Sequence, residues 1–188
     1  RQRYEALLEE AGHDGLTGLL DRGRFDRECP AAVRGAVAIG RPLSLLLIDI
    51  DHFKQINDEH GHAVGDEALR RIAREMGFAT RAGDRIFRYG GEEFVVVCDG
   101  LAHAPALVTA ERLRRTIAAT EIAGLARPVT ASIGVATAPE DGGILAELFG
   151  TADARLYAAK EGGRDRVIGR MPPQRPEGTM DWAEKRPA

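Results

Sequence analysis

The amino-acid sequence predicts an α+β domain in which helices flank a central mixed sheet of five strands. Residues 43–50 form a short apolar run that is typical of a strand buried on both faces. Residues 85–97 hold two β-rich runs joined across a Gly-Gly-Glu turn, which is the pattern of a hairpin. Segments with apolar residues three and four positions apart surround these strands, so helices and strands are expected to share one layered core.

The predicted elements follow one another as helix, helix, strand, helix, hairpin, helix, strand, helix and strand. The first helix places Tyr4, Leu7 and Leu8 on one face and ends at Gly12. The second covers about residues 22–39 and must accommodate a proline near its middle. The later helices and strands are expected at residues 66–76, 106–119, 129–137, 145–160 and 166–168.

Composition and charge bound the function. The 188 residues suit one domain, and 26 basic against 29 acidic residues give a net charge of −3. No global basic field exists, so we expect no nucleic-acid partner. No apolar run of about 18 residues is present, so we expect no membrane contact by this fragment. The only cysteines, Cys29 and Cys98, form no paired motif, and a reduced cytoplasmic chain is expected.

The chain divides into three predicted parts. The chain begins with Arg and not Met, so we expect a fragment of a longer protein. Residues 1–12, with their apolar face, are expected to be the end of an upstream helix or stalk. Residues 13–170 are expected to form the one folded domain. Residues 171–188 hold four prolines and no apolar period, so a disordered tail is predicted.

Two carboxylates stand at the end of the first apolar strand. Asp49 and Asp51 would share one side of the pleat if the strand continued through them. A carboxylate beside the core is costly unless a cation pairs with it, and Mg²⁺ prefers oxygen ligands. The alternative is that either residue starts the next loop or caps a short helix at residues 52–57.

A second acidic pair stands on the hairpin turn. Gly90 and Gly91 allow close backbone approach to a phosphate, and Glu92 and Glu93 add charge where no core needs it. A plain solvated turn is the alternative interpretation. If the hairpin lies beside the strand that ends at Asp49, converging carboxylates would repel unless divalent ions bridge them.

Several spaced motifs together resemble the GGDEF family of diguanylate cyclases. The turn reads Gly-Gly-Glu-Glu-Phe at residues 90–94, and residues 49–58 resemble the family's DxDxFKxxND segment. Further matches are the Asp-Gly-Leu-Thr-Gly-Leu segment at 14–19, the Ser-Ile-Gly-Val-Ala strand at 132–136 and the closing segment at 152–164. The resemblance covers about residues 13–168.

The resemblance implies a fold similar to nucleotidyl cyclases and polymerase palms, with a βααββαβ core. It implies condensation of two GTP into cyclic di-GMP with release of two pyrophosphates. Asp49 and Glu92 would bind Mg²⁺ or Mn²⁺, with two ions expected per site, and the Ile50 carbonyl would complete the site. Glu93 would be either a further ligand or the base near the 3′-hydroxyl.

The resemblance also implies the substrate contacts. Asn57 and Asp66 would read the guanine edge. A carboxylate such as Asp66 accepts from the ring N–H and amino group of guanine, and adenine lacks that pair of donors. Basic side chains would hold the triphosphate, and backbone N–H groups would add to them. The triphosphate residues are Lys54, Lys160 and Arg164, and the backbone groups belong to His52 and Phe53. For Lys160 and Arg164 the alternative is a pair of solvated cations at a helix end.

An inhibitory product site is implied upstream of the turn. Arg81 and Asp84 match the family's RxxD motif, which binds cyclic di-GMP, and Arg112 matches a second arginine used by some members. The alternative is a surface ion pair that contributes little. Asp14 and Arg88 are further predicted to form a structural salt bridge.

A two-fold symmetric product requires two sites face to face, so a homodimer is expected during catalysis. An upstream sensor or receiver domain is expected as a further partner. The competing hypothesis is a catalytically silent module that senses GTP or cyclic di-GMP and acts through partner proteins.

Overall fold

One mixed sheet organises the part of the chain that the computed structural model describes, residues 12–170. The predicted stalk helix and tail lie outside these residues. The strands are β1 (Leu20–Asp21), β2 (Leu43–Ile50), β3 (Arg85–Arg88), β4 (Glu93–Asp99), β5 (Ala131–Ala138) and β6 (Val167–Ile168). The helices are α1 (Arg22–Ala38), α2 (Phe53–His60), α3 (His62–Ala79), α4 (His103–Ala119) and α5 (Leu145–Glu161).

The strand order is β1-β3-β4-β2-β5-β6, with β2 at the centre and antiparallel to both β4 and β5. The outer pairs, β1 with β3 and β5 with β6, are parallel. The mixed sheet and the βααββαβ core, running from β2 to β5, are confirmed. The predicted count of five strands is wrong, because β1 has only two residues and so carries no alternating pattern to read.

The central strand is buried along its whole length, and its two faces feed two cores. Leu46, Ile48 and Ile50 pack with α3 and α4 on one side of the sheet. Leu45 and Leu47 pack with α1 and α5 on the other. Helices therefore cover both faces of β2, which explains why the strand reads as a continuous apolar run.

The start of α3 differs from the predicted boundary, whereas α1 runs close to its predicted span of about 22–39. Gly61, with φ of 83°, separates α2 from α3, so the helix expected at residues 66–76 begins at His62. Pro30 lies inside α1, which continues to Ala38. Within residues 12–170, no helix combines the length and the apolar character needed to cross a bilayer.

Candidate active site

The carboxyl end of β2 and the hairpin turn meet at one edge of the sheet. Asp49 lies directly opposite Glu93 in the β2–β4 register, and the Ile50 N–H donates to the Glu92 carbonyl at 3.2 Å. Asp49 is buried, Glu92 is half-buried and Glu93 is exposed. The structure thus brings together the four residues that the sequence assigned to metal binding and catalysis.

Lys160, on α5, reaches the same edge. Its Nζ lies 2.8 Å from Asp49 Oδ2. The approach depends on Gly134 of β5, because a Cβ there would lie 2.0 Å from the Ala152 carbonyl oxygen of α5. The missing side chain lets α5 pack directly on the strand and places Lys160 over the carboxylate. Lys160 is therefore a partner of the acidic site and not a solvated cation at a helix end.

The electrostatics of this edge show surplus negative charge. Burial raises the pKa of Asp49 above its ordinary value, although hydrogen bonding and charge from Lys160, and the charge of Arg164, oppose the rise. Burial and the neighbouring Asp49 charge also raise the pKa of Glu92. Lys160 and Arg164 oppose these rises in pKa without cancelling them, so the edge favours binding of a further cation.

The donor set fits a hard divalent cation. Asp49 and Glu92 contribute carboxylates, and Ile50 ends β2 with a main-chain carbonyl beside them. Among residues 12–170, no group of three or more His, Cys, Asp or Glu side chains has a metal-binding arrangement. A set of few protein oxygens suits Mg²⁺, which usually keeps water and substrate phosphates among its ligands.

Asp51 does not share the role of Asp49. The strand ends at Ile50, so the expected common side of the pleat is lost. The buried Asp51 carboxylate accepts hydrogen bonds from Thr130 Oγ1 at 2.8 Å, Ser132 Oγ at 2.7 Å and the Asp165 N–H at 3.1 Å. Of the two carboxylates, only Asp49 is left for a ligand.

The guanine-reading candidates lie at the seam between α2 and α3. Asn57 packs its side chain against Gly65, where an added Cβ would lie 2.0 Å from Asn57 Oδ1. Asp66 follows Gly65 in the chain and is half-buried. The absence of a side chain at Gly65 leaves the space that the Asn57 amide occupies at this seam.

The amino end of α2 lies directly after the acidic edge. His52 adopts a left-handed conformation with φ of 57°, and no side chain caps the helix. Helix N–H groups at such an end are free to bind phosphate oxygens. Phe53 is a core residue and Lys54 is exposed, so the side chain of Phe53 stabilises the fold while that of Lys54 remains accessible.

An ion pair between Arg88 and Asp14 supports the hairpin turn. Arg88 Nη1 lies 3.0 Å from both carboxylate oxygens of Asp14, which is the predicted salt bridge. Arg88 Nη2 donates to the Gly91 carbonyl at 2.8 Å, a contact that the sequence did not predict. The entry segment of the domain is thereby connected to the signature turn.

The predicted inhibitory residues lie at the opposite end of the sheet. Arg81 Nε lies 2.8 Å from Asp84 Oδ1, and Arg81 Nη2 donates to the Asp99 carbonyl. The Asp84 side chain is 1% exposed, so this carboxylate is occupied by Arg81. Arg112 instead donates to the Ala79 carbonyl at 2.8 Å.

Comparison with known proteins agrees with these features. The family described as "Diguanylate cyclase, GGDEF domain" matches residues 11–166. The chain is 44% identical to the diguanylate cyclase DgcM of Escherichia coli over 169 residues, covering 89% of this chain and 41% of DgcM. It is 41% identical to the response regulator PleD of Caulobacter vibrioides, covering 90% of this chain and 38% of PleD.

A solved structure gives the same result. The coiled coil and GGDEF domain of DgcB from Caulobacter crescentus, in complex with c-di-GMP, superimposes with a TM-score of 0.80 at 34% identity. The match covers 90% of this chain and 91% of that one. The chain belongs to the GGDEF diguanylate cyclase family. It spans about two fifths of the length of the curated relatives DgcM and PleD.

Proposed function

We propose that this domain is a diguanylate cyclase that condenses two GTP into cyclic di-GMP and two pyrophosphates. The observation that carries the proposal is the surplus carboxylate charge at the end of β2, with Lys160 2.8 Å from Asp49. An acidic, oxygen-only edge beside basic side chains suits a metal–nucleotide complex better than either component alone. Family membership supports the choice of GTP.

The proposed metal ligands are Asp49, the Ile50 carbonyl and Glu92. When bound there, Mg²⁺ or Mn²⁺ compensates phosphate charge and makes a hydroxyl a better nucleophile; two ions per site remain our proposal. The exposed carboxylate of Glu93 is the group that an incoming 3′-hydroxyl reaches, and we assign it the proton. Lys160 holds Asp49 in place before the nucleotide arrives.

The remaining residues orient the substrate. Lys54, Lys160 and Arg164 neutralise the triphosphate, and the amino end of α2 adds N–H donors from His52 and Phe53. At the α2–α3 seam, the Asn57 amide donates to and accepts from the guanine edge, and the Asp66 carboxylate accepts from its N–H groups. Asp66 selects guanine because adenine would leave its carboxylate without a donor.

One domain holds one GTP, so the two-fold symmetric product requires a second copy facing the first. Each 3′-hydroxyl then attacks the α-phosphorus of the other nucleotide, and pyrophosphate leaves from that phosphorus. Cyclic di-GMP is also the proposed ligand of Arg81, Asp84 and Arg112. An upstream sensor or receiver domain would set how often two copies meet.

The test is incubation with GTP and Mg²⁺ across a wide range of protein concentrations, with pyrophosphate and cyclic dinucleotide both measured. We expect two pyrophosphates for each cyclic di-GMP, and a rate per chain that rises with concentration. A rate per chain that stays constant on dilution would contradict assembly of the site from two copies.

A matched pair of variants ties the activity to this edge. Asp49→Asn removes a charge at the site, whereas Asp153→Asn removes one from an exposed position on α5. We expect product formation to be lost only in Asp49→Asn. Binding of GTP without product in the wild-type chain, even at high protein concentration, would replace the cyclase with the silent sensing module.

A further inference from the structure

The turn after α5 holds two consecutive residues in an unfavourable backbone conformation. Arg164 has φ of 61° and Asp165 has φ of 45°, both in the left-handed region that favours glycine. Such strain persists only where surrounding contacts hold it. Arg164 is one of the proposed triphosphate residues, and its charge acts on Asp49. Contacts that hold this turn therefore bear on the nucleotide site.

The first contact is the Asp51 carboxylate. It lies 3.1 Å from the Asp165 N–H that donates to it, and its other donors are the hydroxyls of Thr130 and Ser132. Asp51 itself is 4% exposed. A buried carboxylate normally requires either a cation or several donors, and here three neutral donors supply the need. These bonds hold the Asp51 carboxylate in place as the acceptor for the Asp165 N–H in the turn after α5.

The second contact comes from α4. Arg114 Nη1 lies 2.5 Å from Asp165 Oδ1. Glu111 holds Arg114 in turn, with hydrogen bonds of 2.9 Å to Nε and 2.8 Å to Nη2. The guanidinium–carboxylate contacts lower the pKa of Glu111 to about 2, so this anchor is charged at neutral pH. Asp165 is thus held by its main chain on one side and by its side chain on the other.

We propose that Asp51 and Arg114 are positioning residues for Arg164. They hold residue 165 from the turn after β2 and from α4, which keeps the preceding Arg164 in its left-handed conformation with its guanidinium at the Asp49 edge. This inference rests on the proposed function, because it gives Arg164 the triphosphate as its ligand. Neither Asp51 nor Arg114 touches the substrate. Both act through the backbone of one turn.

The sharpest test uses two adjacent arginines. Arg114→Gln removes the bond to Asp165, whereas Arg115→Gln also removes a 2.8 Å bond to Glu111 but none to Asp165. We expect Arg114→Gln to raise the KM for GTP about tenfold, since small displacements of a positioning group weaken binding strongly. Arg115→Gln should leave KM unchanged. Equal effects of the two variants would overturn the proposal.

Guanosine, which has no phosphate groups, tests whether Arg114→Gln weakens contacts to the triphosphate or to the guanine base. Its inhibition constant should be the same in wild type and Arg114→Gln, because the guanine seam between α2 and α3 is untouched. A general loosening of the fold would weaken guanosine and GTP together, and that result would count against positioning.

Asp51 is tested by a double-mutant cycle with Arg164. Asp51→Asn and Arg164→Ala should each weaken GTP binding, and the double variant should be no weaker than Arg164→Ala alone. Effects that multiply would show that Asp51 does not act through Arg164. If Asp51→Asn fails to fold, the Arg114→Gln comparison decides the question.

Binding and turnover separate this inference from the proposed function. A wild-type chain that binds GTP but forms no product would remove the cyclase assignment. The affinity for GTP, measured directly, would still report whether Asp51 and Arg114 control Arg164. If the chain is an active cyclase but Asp51→Asn and Arg114→Gln leave its affinity for GTP unchanged, only the positioning role is removed.

Discussion

Near each end of the central strand an aspartate pairs with a basic residue of α5, but the pKa of the aspartate is shifted in opposite directions at the two ends. At the carboxyl end, Asp49 pairs with Lys160 of α5, and burial raises the pKa of Asp49. At the amino end, Asp141 pairs with Arg155, also of α5. Burial would raise the pKa of Asp141 as well, but hydrogen bonds from Arg155 and the Thr137 N–H hold it below its ordinary value.

The difference lies in how completely each carboxylate is satisfied. Asp141 accepts from the Thr137 N–H at 2.9 Å and from Arg155 Nη1 and Nη2 at 2.7 and 2.8 Å. Within residues 12–170, the Asp49 carboxylate pairs with Lys160 and feels the charge of Arg164, but it has two acidic neighbours, Asp51 and Glu92, whose charges oppose its own. A satisfied buried carboxylate stabilises the fold, whereas an undersatisfied one is available for a ligand.

A polar network extends the satisfied end. Ser44 Oγ lies 2.8 Å from Thr137 Oγ1 and donates to the Leu101 carbonyl at 2.7 Å. His103 Nδ1 lies 3.1 Å from the same Thr137 hydroxyl. Burial lowers the pKa of His103 despite the nearby Asp141. The rise per strand residue places this network about 17 Å from Asp49, so the two ends can be perturbed separately.

The largest expected effect is a loss of turnover at the carboxyl end of β2, where the proposed ligands bind. Glu93→Ala should reduce turnover by about 10²–10⁴-fold, the usual contribution of a positioned base. The thermal midpoint should change little, because Glu93 is exposed. Glu121→Ala, which removes an exposed glutamate from a loop, is the control. Turnover that survives Glu93→Ala would remove the role assigned to this residue.

At the amino end of β2, where the carboxylate of Asp141 is fully hydrogen-bonded, a substitution should affect stability and not turnover. Asp141→Ala leaves the mostly covered Arg155 guanidinium with no carboxylate and only the Val135 carbonyl as acceptor, and should destabilise the domain by about 3 kcal/mol. In a chain of this size that corresponds to a fall in Tm of about 6–12 °C. Its kcat should be close to wild type. Unchanged stability in urea titrations would contradict the structural role.

The pH dependence of stability should also report on Asp141. Because the pKa of Asp141 is lower in the folded than in the unfolded state, its contribution is present above the unfolded value near 3.8. That contribution is lost as pH falls through the folded value. Unfolding free energies measured below pH 4 should therefore converge for wild type and Asp141→Ala. Parallel curves would contradict the assignment.

A smaller effect is expected at the guanine seam. Gly65→Ala places a Cβ where Asn57 Oδ1 now lies, so the amide must leave. We expect the KM for GTP to rise about tenfold and the preference over ATP to fall. Gly77→Ala, on the same helix with open space around its Cβ, should leave KM unchanged and stabilise the helix slightly. Identical kinetics in the two variants would remove Asn57 from guanine recognition.

The smallest effect on basal rate is expected at the inhibitory site. Arg81→Ala should leave the initial rate unchanged, because Arg81 lies at the end of the sheet opposite Asp49. It should raise the concentration of cyclic di-GMP needed for half-inhibition about tenfold, the range for loss of a bidentate guanine contact. Arg74→Ala, an exposed arginine on α3, is the control. Inhibition that persists in Arg81→Ala would refute the RxxD assignment.

Much of the fold was predictable because its signals are local. The apolar run of β2, the glycine turn and the periodic helices each lie within a short window of sequence. The βααββαβ order followed from them. The two-residue β1 was not predictable, since its pairing with β3 depends on tertiary contacts alone.

The residues of the site were predictable, as was the Asp14–Arg88 ion pair behind the turn, but most of the contacts that support the site were not. Asp49, Glu92 and Glu93 were expected to converge if the hairpin lay beside the strand, and the β2–β4 pairing places them at one edge. The bond from Asp165 to Asp51 crosses 114 positions, and no local pattern reports it. The division of roles between Asp49 and Asp51 likewise required the position at which β2 ends.

The most direct test measures stability and turnover together in Asp49→Asn and Asp141→Asn. The two ends predict opposite outcomes. Asp49→Asn should lose cyclic di-GMP synthesis and keep or gain stability, because the substitution removes surplus charge from a buried edge. Asp141→Asn should lose stability and keep its rate per folded chain. Loss of both properties in both variants would contradict the separation of a ligand-binding end from a stabilising end.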